Sequence, residues 1–195
     1  VVERYQPPGA GYEVQVRVRG KHSFRLDGMA DLLGRARGRS VFDIGCNRGN
    51  AALDLYLHGA ALIHGCDIDE EAVQTARHTY ADFRDCESRF EVADLTSGPK
   101  ALAAFGDQKY DITLCLATYH KLKRVMAAGP LSELMQHFGD RTQGFFAWRG
   151  TSDKADENDA EMSQLDKDLG RSGLARIHTS YISAELGVAA IWARG

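Results

Sequence analysis

No apolar run in this chain approaches the roughly 20 residues that a membrane-spanning helix needs. Its first residues also lack the charged and apolar regions of a secretory signal, so a cytosolic protein is expected. Neither sign of charge dominates: the formal net charge is −3. That argues against a general polyanion binder while leaving a local basic patch open. The four cysteines, Cys46, Cys66, Cys86 and Cys115, include no Cys-x-x-Cys pair, so no metal site is expected. Cys66 and Cys115 sit in apolar runs and read as small buried hydrophobes of a reducing compartment. There is no internal repeat and no long linker. The first residue is Val1 rather than Met, as expected of a trimmed chain or of one domain of something longer.

What is present is ordinary globular material: 195 residues, 44% hydrophobic and 26% charged. A chain of this length buries roughly 70% of its unfolded surface and forms one domain or two small ones. Turn-rich "QPPGAGY" precedes "EVQVRVR", where Val14, Val16 and Val18 alternate with polar residues as in a half-exposed strand. "DGMADLLGRA" predicts a short helix. From Ser40 onward strands and helices alternate. "SVFDI", "ALIHGCD", "RFEVAD", "YDITLCLAT" and "GFFAWRG" are strands, and "LARIHTSYI" and "GVAAIWAR" add two more without a clear helix between them. "NAALDLYLHG" predicts a helix stopped by Gly59, with Ala51, Leu55 and His58 on one face. "DEEAVQTARHTYADF" predicts a second, capped by Asp69, whose apolar face is Val73, Ala76, Tyr80 and Phe83. "PLSELMQHF" and "AEMSQLDKDL" predict two more. The expected fold is a doubly wound α/β domain over residues 40–195. Its seven-stranded sheet is mostly parallel, with an antiparallel edge hairpin and helices on both faces. Residues 1–39 form an N-terminal extension expected to pack on or cover the ligand site, with Lys21, His22, Phe24 and Arg25 as the covering residues.

The most informative stretch is "SVFDIGCNRGN", residues 40–50. A strand ends there in a glycine-rich turn, the place where an open α/β sheet binds ligands. The turn lacks the Gly-Lys-Ser/Thr ending of a P-loop. It also lacks the middle glycine of a dinucleotide fingerprint, because Asn47 stands between Gly45 and Gly49. Asparagine tolerates left-handed backbone angles, so the turn itself stays possible. Gly45 lets a ligand approach the backbone, and the helix that follows Gly49 offers free N–H groups and a positive end.

"VFDIGCNRG" resembles the first motif of the class I, Rossmann-like S-adenosylmethionine-dependent methyltransferases, and three further stretches follow in that family's order. In "GCDID", Asp67 lies about 20 residues after the turn, and the resemblance gives it the donor's ribose hydroxyls, with Ile68 against the adenine. In "VADLT", it gives Asp94 the adenine amino group, with Ala93 and Leu95 beside it; a plain turn cap is the other reading of Asp94. "YDITLCLATYHKL" matches the fourth strand, with the aromatic-Asp pair at Asp111. There the resemblance puts Leu116, Ala117 and Thr118 beside the donor's methionine, and Tyr119 and His120 toward the acceptor. The implied donor site is therefore Asp43, Gly45, Cys46, Asn47, Gly49, Asp67, Ile68, Asp94, Leu95, Leu116 and Ala117, with Asp43 ordering the turn.

On the acceptor side His120 is the expected base, or a residue that only shapes the pocket. Tyr119, Lys121 and Arg149 are the expected substrate contacts. "HKLKR" reads as a solvated basic turn or as an anion clamp, and Trp148 as core. The Asp/Asn-Pro-Pro-aromatic motif of amino-methylating enzymes is missing, which favours oxygen as the methylated atom. The implied function is methyl transfer from S-adenosylmethionine, leaving S-adenosylhomocysteine, to a small or carbohydrate-like hydroxyl or carboxyl acceptor that can be anionic. An RNA-modifying enzyme, a non-catalytic donor-binding domain and a nicotinamide-dependent oxidoreductase stay open. Oligomeric state is not legible.

Overall fold

A computed structural model describes residues 26–152, 154–183 and 187–195, together with the backbone of 2–5 and 14–18. Strands β1 (Val2–Tyr5) and β2 (Val14–Val18) pair antiparallel as a separate two-stranded ribbon. The side-chain alternation expected at Val14, Val16 and Val18, and the covering residues Lys21, His22, Phe24 and Arg25, lie outside the described residues.

The main sheet is built from β3 (Ser40–Ile44), β4 (Leu62–Asp67), β5 (Glu87–Val92), β6 (Tyr110–Leu116), β7 (Thr142–Gly150), β8 (Leu174–Ser183) and β9 (Gly187–Arg194). Their order is β5-β4-β3-β6-β7-β9-β8. The pairs from β5 through to β7 are parallel, and β9 runs antiparallel to both β7 and β8. This is the expected doubly wound sheet with an antiparallel edge hairpin. The chain moves outward from β3 to β5, then returns to place β6 on the other side of β3. Strand order therefore reverses between β3 and β6, which opens a crevice beyond their carboxyl ends.

Alternation along the strands divides the core into two layers. Val41, Ile63, Ile112, Leu114, Ala147 and Ile191 face one side. There they pack against α1 (Asp31–Gly34), α2 (Asn50–Leu57) and α3 (Glu70–Tyr80). Phe42, Ile44, Cys66, Cys115, Phe146, Trp148 and Trp192 face the other. Their partners are α4 (Tyr119–Val125), α5 (Ala128–Arg141), α6 (Ala155–Gly170) and a 3-10 segment over Leu95–Phe105. Burial on both faces explains the high share of apolar residues in β3, β4 and β6. It also pushes the Cys66 and Cys115 thiols up to about 12, so both behave as the inert core residues expected of them.

Local chemistry explains the boundaries. Asp69 accepts the Ala72 N–H at 3.0 Å and caps α3, while Glu70 and Glu71 occupy its positive end. Val73, Ala76, Tyr80 and Phe83 are all buried, as helical periodicity requires. His58 is exposed at the end of α2 and not on its buried face; its Nδ1 lies 2.8 Å from the Asp54 carbonyl oxygen. Leu26, Met29, Leu32 and Ala36 are buried in the α1–α3 layer, so residues 26–36 share the core of the main domain.

Candidate active site

A cavity of about 670 Å³ fills the crevice at the switch point. Its size suits a small-molecule ligand. Its first wall is the turn after β3. Gly45 and Cys46 both donate their N–H groups to the Cys66 carbonyl, at 2.8 and 2.9 Å, which pins the turn to β4. Gly45 has φ +71°, and a Cβ there would run into the Thr118 side chain. The glycine thus serves its protein neighbour as well as any ligand. Thr118 Oγ1 donates to the Ile44 carbonyl at 3.1 Å and closes the turn from the β6 side. Asn47 takes φ 48°. This is the left-handed conformation that asparagine tolerates. Gly49 is the N-cap of α2 and does not line the cavity. The Tyr80 hydroxyl donates to its carbonyl at 2.9 Å.

Asp67 stands at the end of β4 between this turn and the start of α3. Its Oδ2 accepts the Asn47 N–H at 2.8 Å and its Oδ1 the Asp69 N–H at 3.1 Å. The carboxylate is therefore fixed in place on the cavity wall. Ile68 beside it is 66% exposed although it lines the cavity. It presents an apolar surface that a flat ligand would cover. Asp94 and Leu95 line the next stretch. Asp94 is a turn cap that also stands on the cavity wall. Its Oδ1 accepts from Thr96 N at 3.0 Å and Thr96 Oγ1 at 2.7 Å, capping the 3-10 segment, and the same residue walls the cavity. The Thr96 hydroxyl and amide hold its carboxyl below the ordinary range. Asp43, buried at the end of β3, and Cys46 complete this side.

Leu116 and Ala117 form the centre of the wall. Ala117 has φ 55°. That value is strained for a residue with a Cβ. Its N–H is held by the Arg149 carbonyl at 3.2 Å. Asp111, the acid of the aromatic-Asp pair, lies at the opposite end of β6 and accepts from Ser40 N and Ser40 Oγ, both at 2.9 Å, and from Arg39 at 2.9 Å. Burial raises its pKa, but these hydrogen bonds outweigh burial and leave the carboxyl below its ordinary value.

The far wall consists of Lys121, Leu122 and Val125 from α4, with Arg149 and Thr151 from the end of β7. Arg149 is nearly buried and its Nη2 donates to the Asp27 carbonyl at 3.2 Å. Three expectations meet a different arrangement here. Tyr119 is 2% exposed and buried in the core beside α5 and α6, away from the cavity; burial pushes its phenol up. "HKLKR" is not a turn: it lies within α4, and Lys123 points to the buried Glu161, 3.7 Å away. His120 is not on the cavity wall either. Its Nδ1 lies 3.4 Å from Oγ1 of Thr151, which does line the cavity. Burial, then Arg124 and Lys121, lowers its pKa below the ordinary value. Trp148 is fully buried, as expected. Leu122, Val125, Arg48, Asn50 and Thr151 line the site without having been singled out from the sequence. Leu122 and Val125 sit about one helical turn apart, a relation that shows only once residues 119–125 are known to be helix.

Residues 41–138 match the family described as "Methyltransferase domain". The chain belongs to the class I S-adenosylmethionine-dependent methyltransferases. Among solved structures it is similar to magnesium protoporphyrin IX methyltransferase from Synechocystis PCC 6803 with bound S-adenosylmethionine. The TM-score is 0.64 and the identity 21%, over 90% of this chain and 80% of that one. A TehB-like S-adenosylmethionine-dependent methyltransferase from Corynebacterium glutamicum gives a TM-score of 0.60 at 16% identity, over 86% of this chain and 88% of that one. A curated relative, the ubiquinone biosynthesis O-methyltransferase of Neisseria meningitidis serogroup C (strain 053442), is 42% identical over 52 residues. That match spans 27% of this chain and only 20% of the relative's length. The cofactor of this methyltransferase family is S-adenosylmethionine, and the wall fits it. A fixed carboxylate suits the ribose, a bare isoleucine the adenine, and the start of α2 the methionine carboxylate.

Proposed function

We propose that this domain transfers a methyl group from S-adenosylmethionine to an oxygen of a small acceptor that carries an anionic group. The observation that carries this is the unlike character of the two cavity walls. One wall offers Asp67, Asp94 and the glycine turn to the donor. The other sets the cations Lys121 and Arg149 beside an apolar patch of Leu122 and Val125, which suits an acid with an apolar body better than a bare sugar. The curated relative's name, an O-methyltransferase, agrees with oxygen as the methylated atom.

The donor, once bound, supplies a methyl already activated by its positive sulfur. The protein's own residues hold and align. Asp67 takes the ribose hydroxyls, and Asp94 with Leu95 meets the adenine edge. The Gly45–Asn47 turn and the start of α2 meet the methionine end. Leu116 and Ala117 shape the passage between donor and acceptor, where alignment within a narrow angle accounts for most of the acceleration. Lys121 and Arg149 set the acceptor's depth. His120 serves the acceptor from off the cavity wall. A cytosolic location belongs to the same reading.

The experiment is transfer of tritiated methyl from S-adenosylmethionine to three acceptor sets: hydroxybenzoates, sugar phosphates and total RNA. Label should enter an acidic small molecule. Lys121→Met should raise the acceptor's KM at least tenfold and leave donor affinity within twofold. Label in RNA alone would sink the reading, and donor binding without transfer to any set would favour a binding domain.

A further inference from the structure

Thr151 supplies a hydroxyl to the acceptor wall, and no motif led to it. It follows directly on β7 and lines the cavity. Three contacts fix the short loop that carries it. Asn158 of α6, 3% exposed, donates from Nδ2 to the Ser152 carbonyl at 2.8 Å. The Ser152 hydroxyl in turn donates to Glu157 Oε2 at 2.8 Å. On the other side the first residue of β9 presses closely on Gly150 and Thr151. A side chain at Gly187, which has φ +74°, would enter the Gly150 carbonyl. Only glycine accepts such a position without strain. The backbone on both sides of Thr151 is thus held before any ligand arrives, which suits a residue that acts on a substrate.

Near Thr151 stands His120, with Nδ1 3.4 Å from its Oγ1. The distance is long for a hydrogen bond, and a contact of this kind shortens as the reacting groups come together. His120 itself is half-buried and off the cavity wall, so an acceptor meets the threonine first.

We propose that Thr151 is a catalytic residue and that His120 acts through it. This rests on the oxygen-methylating reading above. In the step, the acceptor hydroxyl gives its proton to Thr151 Oγ1 as the threonine's own proton passes to His120 Nδ1. The acceptor oxygen forms its bond to the methyl carbon as the carbon–sulfur bond breaks, and that electron pair stays on sulfur. The products are the methyl ether, S-adenosylhomocysteine and an imidazolium, which returns its proton to water from the half-exposed side of His120. Burial and the neighbouring Arg124 and Lys121 favour the neutral ring at rest, so the proton sink is ready before each turnover.

The test uses the full chain labelled with 15N-histidine, saturated with S-adenosylhomocysteine, so no acceptor has to be known. In the parent, His120 Nδ1 should show the shift of an unprotonated nitrogen accepting a hydrogen bond. Thr151→Val, which keeps the shape and removes the hydroxyl, should move that shift toward an unbonded nitrogen. Thr151→Ser should restore it. With the best acceptor from the tritium assay, Thr151→Val should lower kcat at least tenfold at unchanged donor affinity, and Thr151→Ser should stay within threefold. An unmoved His120 shift in Thr151→Val, or equal shifts in both variants, would overturn the proposal. Failure of the donor reading would show separately, as no binding of S-adenosylhomocysteine to the parent chain.

Discussion

At their amino ends β3, β6 and β7 are stitched together by polar side chains. Asp111 joins β6 to Ser40 and Arg39, and Arg194 donates to the Gly139 and Thr142 carbonyls. Arg141 donates to the carbonyls of Phe105, Gly106 and Gln108. At their carboxyl ends the same strands run into left-handed turns at Gly45, Asn47 and Ala117 and into a cavity. Strain of about 1–3 kcal/mol at a residue such as Ala117 is tolerated only where the surroundings fix it. Each end of the sheet thus does its own kind of work. Hydrogen bonds that satisfy buried groups collect at the closed end, and conformations that cost stability collect at the open end, where a ligand is met.

The largest effect that would break this division is at Arg141. Arg141→Met removes a charged donor from three carbonyls in a nearly buried site. Unfolding free energy should fall by about 3 kcal/mol in a urea melt. Donor affinity should stay within twofold, because the change is at the closed end. The reverse is expected of Asp67→Ala. It should weaken donor binding at least tenfold, about 1.4 kcal/mol, and change stability less than Arg141→Met does. Comparable effects of both variants on both readouts would erase the distinction between the two ends.

The smallest effect is a pH dependence below the sheet's polar stitches. His64 of β4 is buried, with Nδ1 2.9 Å from the Tyr110 hydroxyl. Burial holds its pKa below the ordinary 6.5. The folded value thus lies under the unfolded one. Stability is full above about pH 6.5 and falls as pH drops through and below it, where the unfolded chain gains a proton that the folded chain refuses. His120 and His137 are shifted the same way and add to the slope. His64→Asn should therefore flatten, without abolishing, the fall in melting temperature between pH 7 and pH 5. An unchanged slope would show that His64 contributes nothing to it.

The wall that carries Gly45, Asn47 and Asp67 was legible through the family resemblance, whose motifs sit at strand ends. Gly45, Asn47 and Asp67 each lie within a few residues of a strand end, where only certain residue types fit the turn or reach the neighbouring strand. The acceptor side was not. Its wall joins α4 to the end of β7, and no local pattern links Lys121 to Thr151. Residues 119–125 hold too few apolar positions to show a helical period, so "HKLKR" read as a turn. Neighbours on a helix point about 100° apart. The sequence therefore could not tell which of Tyr119, His120 and Lys121 faces the cavity; of the three, only Lys121 lines it. The mostly parallel sheet and its antiparallel edge hairpin, by contrast, followed from the alternation of strands and helices plus the missing helix between β8 and β9.

The proposed donor site is the open end of β3, β4 and β6, and the proposed acceptor site depends on it. Calorimetric titration of the chain with S-adenosylmethionine, S-adenosylhomocysteine and NADH tests this most directly. Micromolar binding of the two sulfur ligands and none of NADH is the predicted result. Binding of NADH alone, or of no ligand, would contradict it.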